Sequence, residues 1–305
     1  MEKRLNRSEL VFSLAFLLML VVAAGAFFFG VRVGTDRTEA KYETKEADAA
    51  ASPALPNAYQ QQDLVSFYHT VFLPYREFQK NWFDVQRDLL SDATMDRSAA
   101  MKQLTKSATK TYDKIKAVQV SAASPLLVDA QTSYLKSLKL FSDGFSALAK
   151  EKAKSGDDFL AALNANDYYK EGRIQALSGQ DRYYHSMLKW ASTVDLDIPA
   201  DYEIPDILAI EKWRTLPLIV KIKASADYLS TLTDMKEFAP QDLTARIDDF
   251  IRSGQAERRK LKSVGAIAEL LTSADGVRGG DFLRMKERFY GQEQLPQLPF
   301  FFSDN

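Results

Sequence analysis

The chain has 305 residues, 46% hydrophobic and 27% charged, enough for about two ordinary folded domains. Its 40 Lys and Arg against 41 Asp and Glu leave a net charge of -1, which speaks against a nucleic-acid partner, because such a partner needs a concentrated basic field. Cysteine is absent and only two histidines occur, His69 and His185, which excludes disulfides, thiolate metal sites and an acylated cysteine and leaves almost nothing for a histidine metal site or a conventional triad.

Residues 10–31 read LVFSLAFLLMLVVAAGAFFFGV, 22 residues without a charge. As a helix they span about 33 Å, against a bilayer core of about 30 Å. Lys3, Arg4 and Arg7 precede the run, whereas residues 33–52 carry three basic and five acidic side chains. The positive-inside rule therefore predicts a transmembrane signal-anchor helix at 10–32, residues 1–9 in the cytoplasm and the rest of the chain outside it. The competing reading is a secretory signal cleaved after Ala26, since Ala24-Gly25-Ala26 has the small-x-small pattern; Phe27-Phe28-Phe29 continues the apolar run past that site. The one N-x-[ST] sequon, Asn6-Arg7-Ser8, falls on the cytoplasmic side.

Residues 33–62 are rich in charge, Ala and Pro, and predict a flexible spacer reaching on the order of 30 Å. A helical stalk is the alternative, and Pro53 and Pro56 would end it.

Beyond the spacer the pattern turns helical. Leu64, Tyr68, Val71, Tyr75, Phe78, Trp82, Val85 and Leu89 recur at steps of four and three, with Pro74 inside the stripe as a kink or a restart. Met101, Leu104, Ala108, Tyr112, Ile115 and Val118 form a second stripe, with Asp96 as its N-cap. A third opens at Ser124-Pro125 and carries Leu127, Ala130, Tyr134, Leu138, Phe141, Phe145 and Leu148. After a break at Ser155-Gly156-Asp157, a fourth region runs to about Val194 with Leu177, Tyr184, Leu188 and Ala191 on one face, weakened by Gly172. Four such segments predict a four-helix bundle over residues 63–195.

Residues 195–205 hold two prolines and four acidic side chains without helical period, which marks a boundary. Shorter helices are expected at 206–235 (interrupted at Pro217), 240–252, 255–274 and 279–290, making a small helical domain at 206–292. Residues 293–305 form a Pro/Phe-containing tail that packs back or binds something. No period-two strand pattern or internal repeat occurs, so the expected class is all-α.

Catalytic signatures are missing. The Glu-x-x-His pairs of a di-iron bundle are absent, because Arg182 stands three residues before His185 and Ser66 three before His69. No phosphate loop, dinucleotide fingerprint or hydrolase elbow occurs, and no cofactor or metal is implied. The carboxylate pairs Asp157-Asp158 and Asp248-Asp249 sit about 100° apart on a helix, and read as helix-start charge and solvated face. Arg258, Arg259, Lys260 and Lys262 could meet an anionic surface, although such runs are usually a helix's wet face. Tyr68, Tyr75, Trp82, Tyr112, Tyr134, Tyr183 and Tyr184 lie on or near the stripes; the ordinary reading puts tyrosine hydroxyls at the bundle rim in water. If a ligand pocket exists, Tyr183, Tyr184, His185 and Trp190 are its first candidates.

The expected function is a membrane-anchored extracytoplasmic module that binds or scaffolds a protein partner in the cell envelope, with the bilayer as a partner through residues 10–32. The lack of cysteine fits a bacterial envelope better than a eukaryotic secretory route. Two rivals stand beside it. One is a ligand-sensing bundle that signals through a partner membrane protein; the other is an envelope enzyme using carboxylates distant in sequence.

Overall fold

Leu64, Val71, Tyr75, Phe78, Trp82 and Leu89 are all buried, and Tyr68 and Val85 half-buried, as one helical face requires. The computed structural model describes residues 58–91, 94–151 and 155–302. The expected N-terminal segment, anchor and most of the spacer lie outside them. Among the described residues the fold is all-helical, with a single isolated bridge between Ala209 and Ser263.

The first stripe is split into α1 (Gln61–Phe67) and α2 (Leu73–Ser91) by a π-helical turn at Tyr68–Phe72. Pro74 explains it. Proline offers no N–H to the carbonyl four residues back, and its ring crowds that carbonyl, so the preceding turn widens by one residue. Leu73 N–H accordingly donates to the Tyr68 carbonyl. The outcome is neither a simple kink nor a fresh start.

α3 (Arg97–Lys116) is capped by Asp96, whose side chain accepts from Ala99 N–H. α4 (Pro125–Leu148) begins with Pro125 in its first turn, but Ser124 does not cap it. Its hydroxyl instead accepts from Tyr59 N–H and donates to Asp63, both at 2.9 Å, and so ties the chain before α1 to the start of α4. The fourth expected helix is two: α5 (Gly156–Ala165) and α6 (Asp167–Val194). The break falls at Asn166, whose backbone is extended and whose side chain accepts from Tyr169 N–H.

Cross-helix pairs set the directions. Tyr75, Phe78 and Trp82 meet Tyr134, Phe141 and Phe145 in order, so α2 and α4 are parallel. Ser133 meets Arg182 and Ser137 meets Gly172, so α6 runs opposite to α4. Thr109 meets Ser142, and Ser98 meets Ala149, so α3 does too. This is an up-down-up-down bundle. Gly172 and Gly179 permit the close α4–α6 approach: a Cβ would stand 3.0 Å from the Phe141 ring at one and 3.0 Å from the Tyr134 ring at the other. Gly172 is a contact point, not a weak point.

Then come α7 (Ile210–Arg214), α8 (Leu218–Ser230), α9 (Pro240–Arg252), α10 (Gln255–Arg258), α11 (Val264–Ser273) and α12 (Asp281–Phe289). α9 starts as expected, with Asp242 accepting from Ala239 N–H at 3.0 Å. The expected 255–274 helix is interrupted between α10 and α11. Gly254, at φ 73°, and Lys260, at φ 56°, hold left-handed turns on either side of α10.

Asn57–Asn305 form one compact unit with two buried clusters. The larger joins the bundle stripes to Leu218, Ile222, Phe282, Tyr290, Leu298 and Phe301. The smaller gathers Trp213, Leu243, Ile247, Phe250 and Ile267. The tail thus packs back: Leu295, Leu298 and Phe301 are buried, and Phe300 meets the rings of Tyr68 and Phe72. Each fully buried Leu or Phe contributes roughly 1.5–3 kcal/mol of transfer free energy.

Candidate functional site

Four of the six stripe tyrosines are not rim residues, whereas Tyr68 and Tyr112 are half-buried. Tyr75, Tyr134, Tyr183 and Tyr184 are essentially buried, and three of their hydroxyls have protein partners. Tyr75 Oη lies 2.7 Å from Ser137 Oγ; Tyr183 donates to the Leu64 carbonyl at 3.0 Å and Tyr184 to Gln241 Oε1 at 2.6 Å. Tyr169, which lies off the expected stripes, accepts from Trp82 Nε1 at 3.1 Å. Burial raises these phenols; Tyr169 is pushed up to about 12 even though the hydrogen bond from Trp82 and the nearby Arg173 charge oppose it. All stay protonated donors at neutral pH.

Tyr183, Tyr184, His185 and Trp190 do not share one wall. Tyr183 faces Phe67 and Phe72, while Tyr184 faces Gln241 and Phe300. Trp190 is buried in the larger core. His185 is on a wetter face, with Nε2 2.8 Å from Asp201 Oδ1. Arg258, Arg259, Lys260 and Lys262 are exposed, but around a turn instead of along a helix. Arg258 donates to the Ser253 carbonyl at 3.2 Å, and Glu257 lies 3.8 Å from Arg214.

A small cleft of about 10 Å³, room for roughly one water, opens where α2, α4 and α6 meet the segment after α8. Tyr75, Arg76, Gln79, Tyr134, Gln180 and Lys236 are its polar lining. Arg76 donates to Gln79 Oε1 at 3.0 Å and to the Glu237 carbonyl at 3.2 Å; Gln79 Nε2 donates to the Lys236 carbonyl at 3.3 Å. The Tyr134 hydroxyl is buried with no hydrogen-bond partner.

Two charge clusters bring together residues far apart in the sequence. In the first, Lys223, itself buried, pairs with Asp227 one turn along α8 and with Asp181 of α6 at 3.3 Å. Burial, then the hydrogen bond and charge of Asp181, lift Asp227 to about 7 against the pull of Lys223. On the neighbouring turn, burial and then the Lys223 charge lower His185, against Asp201. Burial alone would raise Asp201, but hydrogen bonds from Lys189 and His185 outweigh it and hold the carboxyl below its ordinary value. Neither Asp181 nor Asp227 lines the cleft.

The second corrects the solvated-face reading of Asp248-Asp249. Asp248 is buried and accepts from Trp213 Nε1 at 2.7 Å, Tyr290 Oη at 2.7 Å and Lys221 Nζ at 3.2 Å. Asp249 is half-buried and pairs with Arg246. α9 is buried nearly all round although seven of its thirteen residues are polar or charged, so no local signal in the sequence flags Asp248 as an interior residue. Asp157 and Asp158 do lie in the first turn of α5.

Residues 193–197 and 205–207 flank the connecting strap with exposed side chains. Leu196 is 94% exposed, Ile207 77% and Val194 51%. Between Val194 and Ile207 stand Asp195, Asp197, Asp201, Glu203 and Asp206, with no basic residue. Asp201 pins the middle to α6, receiving Lys189 at 2.7 Å as well as His185. Ile198 and Tyr202 are half-buried against the larger core.

No protein-family profile, curated protein or solved structure matches this chain.

Proposed function

We propose that this chain is an extracytoplasmic binding or scaffolding module of the cell envelope, held by a single N-in transmembrane helix at residues 10–32. The anchor and the topology rest on the apolar run and its charged flanks. Among the described residues no helix is long and apolar enough to cross a membrane.

The observation that carries the binding role is the strap. It presents Leu196 at 94% and Ile207 at 77% exposure within a uniformly acidic stretch, while Asp201 and the half-buried Ile198, Tyr202 and Ile204 hold its middle against the fold. Covering two such aliphatic side chains is worth a few kcal/mol to an association, and the acidic residues favour a partner surface that mixes apolar with basic side chains. The partner is therefore an envelope protein with a basic, apolar-lined groove.

Topology is tested first, by protease treatment of intact, wall-stripped cells carrying a C-terminal epitope. Loss of the epitope while cytoplasmic controls survive, with full-length mass in the membrane fraction, supports the anchored reading. A mass corresponding to cleavage after Ala26 supports secretion, and protection until detergent is added reverses the topology. Photo-crosslinking side chains at Leu196 and Ile207, with Lys102 on α3 as control, then test the surface. One discrete adduct at both strap positions, lost on charge reversal of Asp195 and Asp197, supports the role; equal labelling at Lys102 sinks it.

The enzyme reading has one observation behind it, the raised Asp227 carboxyl beside Asp181. Lys223 lies between the two acids and pairs with both, which suits a structural cluster better than an acid–base pair.

A further inference from the structure

Among the described residues, α2, α4, α6, α8, α9 and α12 each hold at least one Lys or Arg against a carboxylate. α3 does not. It carries six cations, Arg97, Lys102, Lys106, Lys110, Lys114 and Lys116, with Asp113 as its one acid, and none of the six is ion-paired within the described residues. Lys102, Lys106, Lys110 and Lys114 recur every four residues and are all exposed. Each step advances about 40° past a full turn, so the four span about 120° of the helix surface and about 18 Å of its length. The buried Met101, Leu104, Ala108 and Ile115 occupy the opposite side. Between Lys102 and Lys114 the lysine sector otherwise holds only Gln103 and Asp113, both exposed.

Such a stripe works against its own helix. Like charges four apart repel, and three such pairs follow one another here. A face that served folding alone would place acids at that spacing, as Lys139 and Asp143 do on α4. The whole chain has a net charge of -1, so the stripe is a local excess and not a share of a basic protein. Its composition also narrows the counterpart. The sector offers no aromatic or aliphatic side chain to anchor a protein partner, and no arginine to clasp one phosphate in bidentate fashion. Lysines on long flexible stems respond to a diffuse anionic field, and a bilayer surface supplies one. An anchor at 10–32 and a spacer reaching on the order of 30 Å keep the bundle within range of the headgroups.

We propose that α3 is a lipid-docking face, with Lys102, Lys106, Lys110 and Lys114 lying along the anionic headgroups of the bilayer that holds the anchor. The proposal rests on the anchored reading above for the nearness of the bilayer, but not for the affinity itself. Docking lays α3 parallel to the membrane and turns the buried side of the helix away from the lipid.

The test sediments residues 57–305, one compact unit with its own core, with vesicles of phosphatidylglycerol and phosphatidylcholine in equal parts and with vesicles of phosphatidylcholine alone. Binding is expected on the anionic vesicles only, and it falls as salt rises from about 0.1 M to about 0.5 M. Lys106→Gln with Lys110→Gln lowers it about 25-fold, at roughly fivefold per lysine, whereas Arg259→Gln with Lys262→Gln, the same charge change on the other basic cluster, leaves it within about twofold. Relief of repulsion leaves the α3 variant at least as stable as the parent, which thermal unfolding checks. In the full chain reconstituted in nanodiscs, the Lys106 and Lys110 amines are acylated more slowly in phosphatidylglycerol than in phosphatidylcholine, and Lys262 equally in both. Contact with lipid leaves Lys102 without a discrete protein adduct. Absence of binding to the anionic vesicles, an equal loss in both variant pairs, or equal acylation in the two kinds of disc would each overturn the proposal. Binding of soluble polyphosphate through Lys106 and Lys110 without binding to vesicles would overturn it too, and reassign the face to a free polyanion. Vesicle affinity is independent of topology, so cleavage after Ala26 or a reversed orientation overturns the anchored reading and leaves the vesicle result standing.

Discussion

Lys221 and Asp248 face each other in the interior, the ammonium nitrogen 3.2 Å from both carboxylate oxygens, with the side chains only 9% and 4% exposed. Trp213 and Tyr290 close the cluster, so one carboxylate on α9 receives α8, the residue after α12 and the α7 indole. Removing one partner of such a pair strands the other charge. Asp248→Ala is expected to cost about 3–5 kcal/mol in urea unfolding, whereas Lys221→Met with Asp248→Asn costs clearly less than the sum of the single changes. Additive losses would show that the four groups do not act as a unit.

Two glycines should respond to alanine with opposite signs. At Gly179 a Cβ would stand 3.0 Å from the Tyr134 ring, tighter than ordinary contact, and Gly179→Ala should lose about 1–3 kcal/mol. Gly265, in the first turn of α11, has nothing within 4 Å, and Gly265→Ala should gain about 0.5–1 kcal/mol from helix propensity. Denaturant midpoints of the two variants decide it.

Stability should carry two opposed pH limbs. The folded Asp227 ionises near 7 against an ordinary 3.8, so its contribution is complete below about pH 4 and lost as pH rises through 7. His185 is lowered from 6.5, so its contribution is present above about pH 6.5 and lost as pH falls through its folded value. Relative to the parent, Asp227→Asn should therefore gain stability between pH 4 and 7, by at most about 4 kcal/mol and less where water relaxes the cluster. His185→Gln should flatten the acid limb. Urea midpoints from pH 4.5 to 8 that run parallel in all three proteins would refute both assignments.

Phe301 is fully buried and stacks edge-on against Phe282 and Phe300. Phe301→Ala should cost about 3–5 kcal/mol, and removal of residues 293–305 at least as much. A tail variant with unchanged thermal unfolding would show that the tail is not part of the core.

Much of the bundle is legible in the amino-acid pattern. All seven residues of the third stripe, from Leu127 to Leu148, are buried, because a helix that must cover one face repeats its apolar residues at 3.6-residue intervals whatever it packs against. Asp96, Pro125 and Pro240 mark helix starts for equally local reasons: a side-chain acceptor and a missing N–H act within one turn. Tyr134 belongs visibly to a buried stripe, but nothing local shows that its hydroxyl lacks a partner.

What the sequence alone determined is the helical class, the stripes and the apolar N-terminal run, each set by neighbours a few residues away. The tertiary structure decided the rest. Lys223 meets Asp181 across 42 positions and Tyr290 meets Asp248 across 42, Gly172 serves helix contact, and the tail turns inward on Phe282. Burial and pairing of a charge depend on which faces meet, and a periodic pattern names the face without naming its partner.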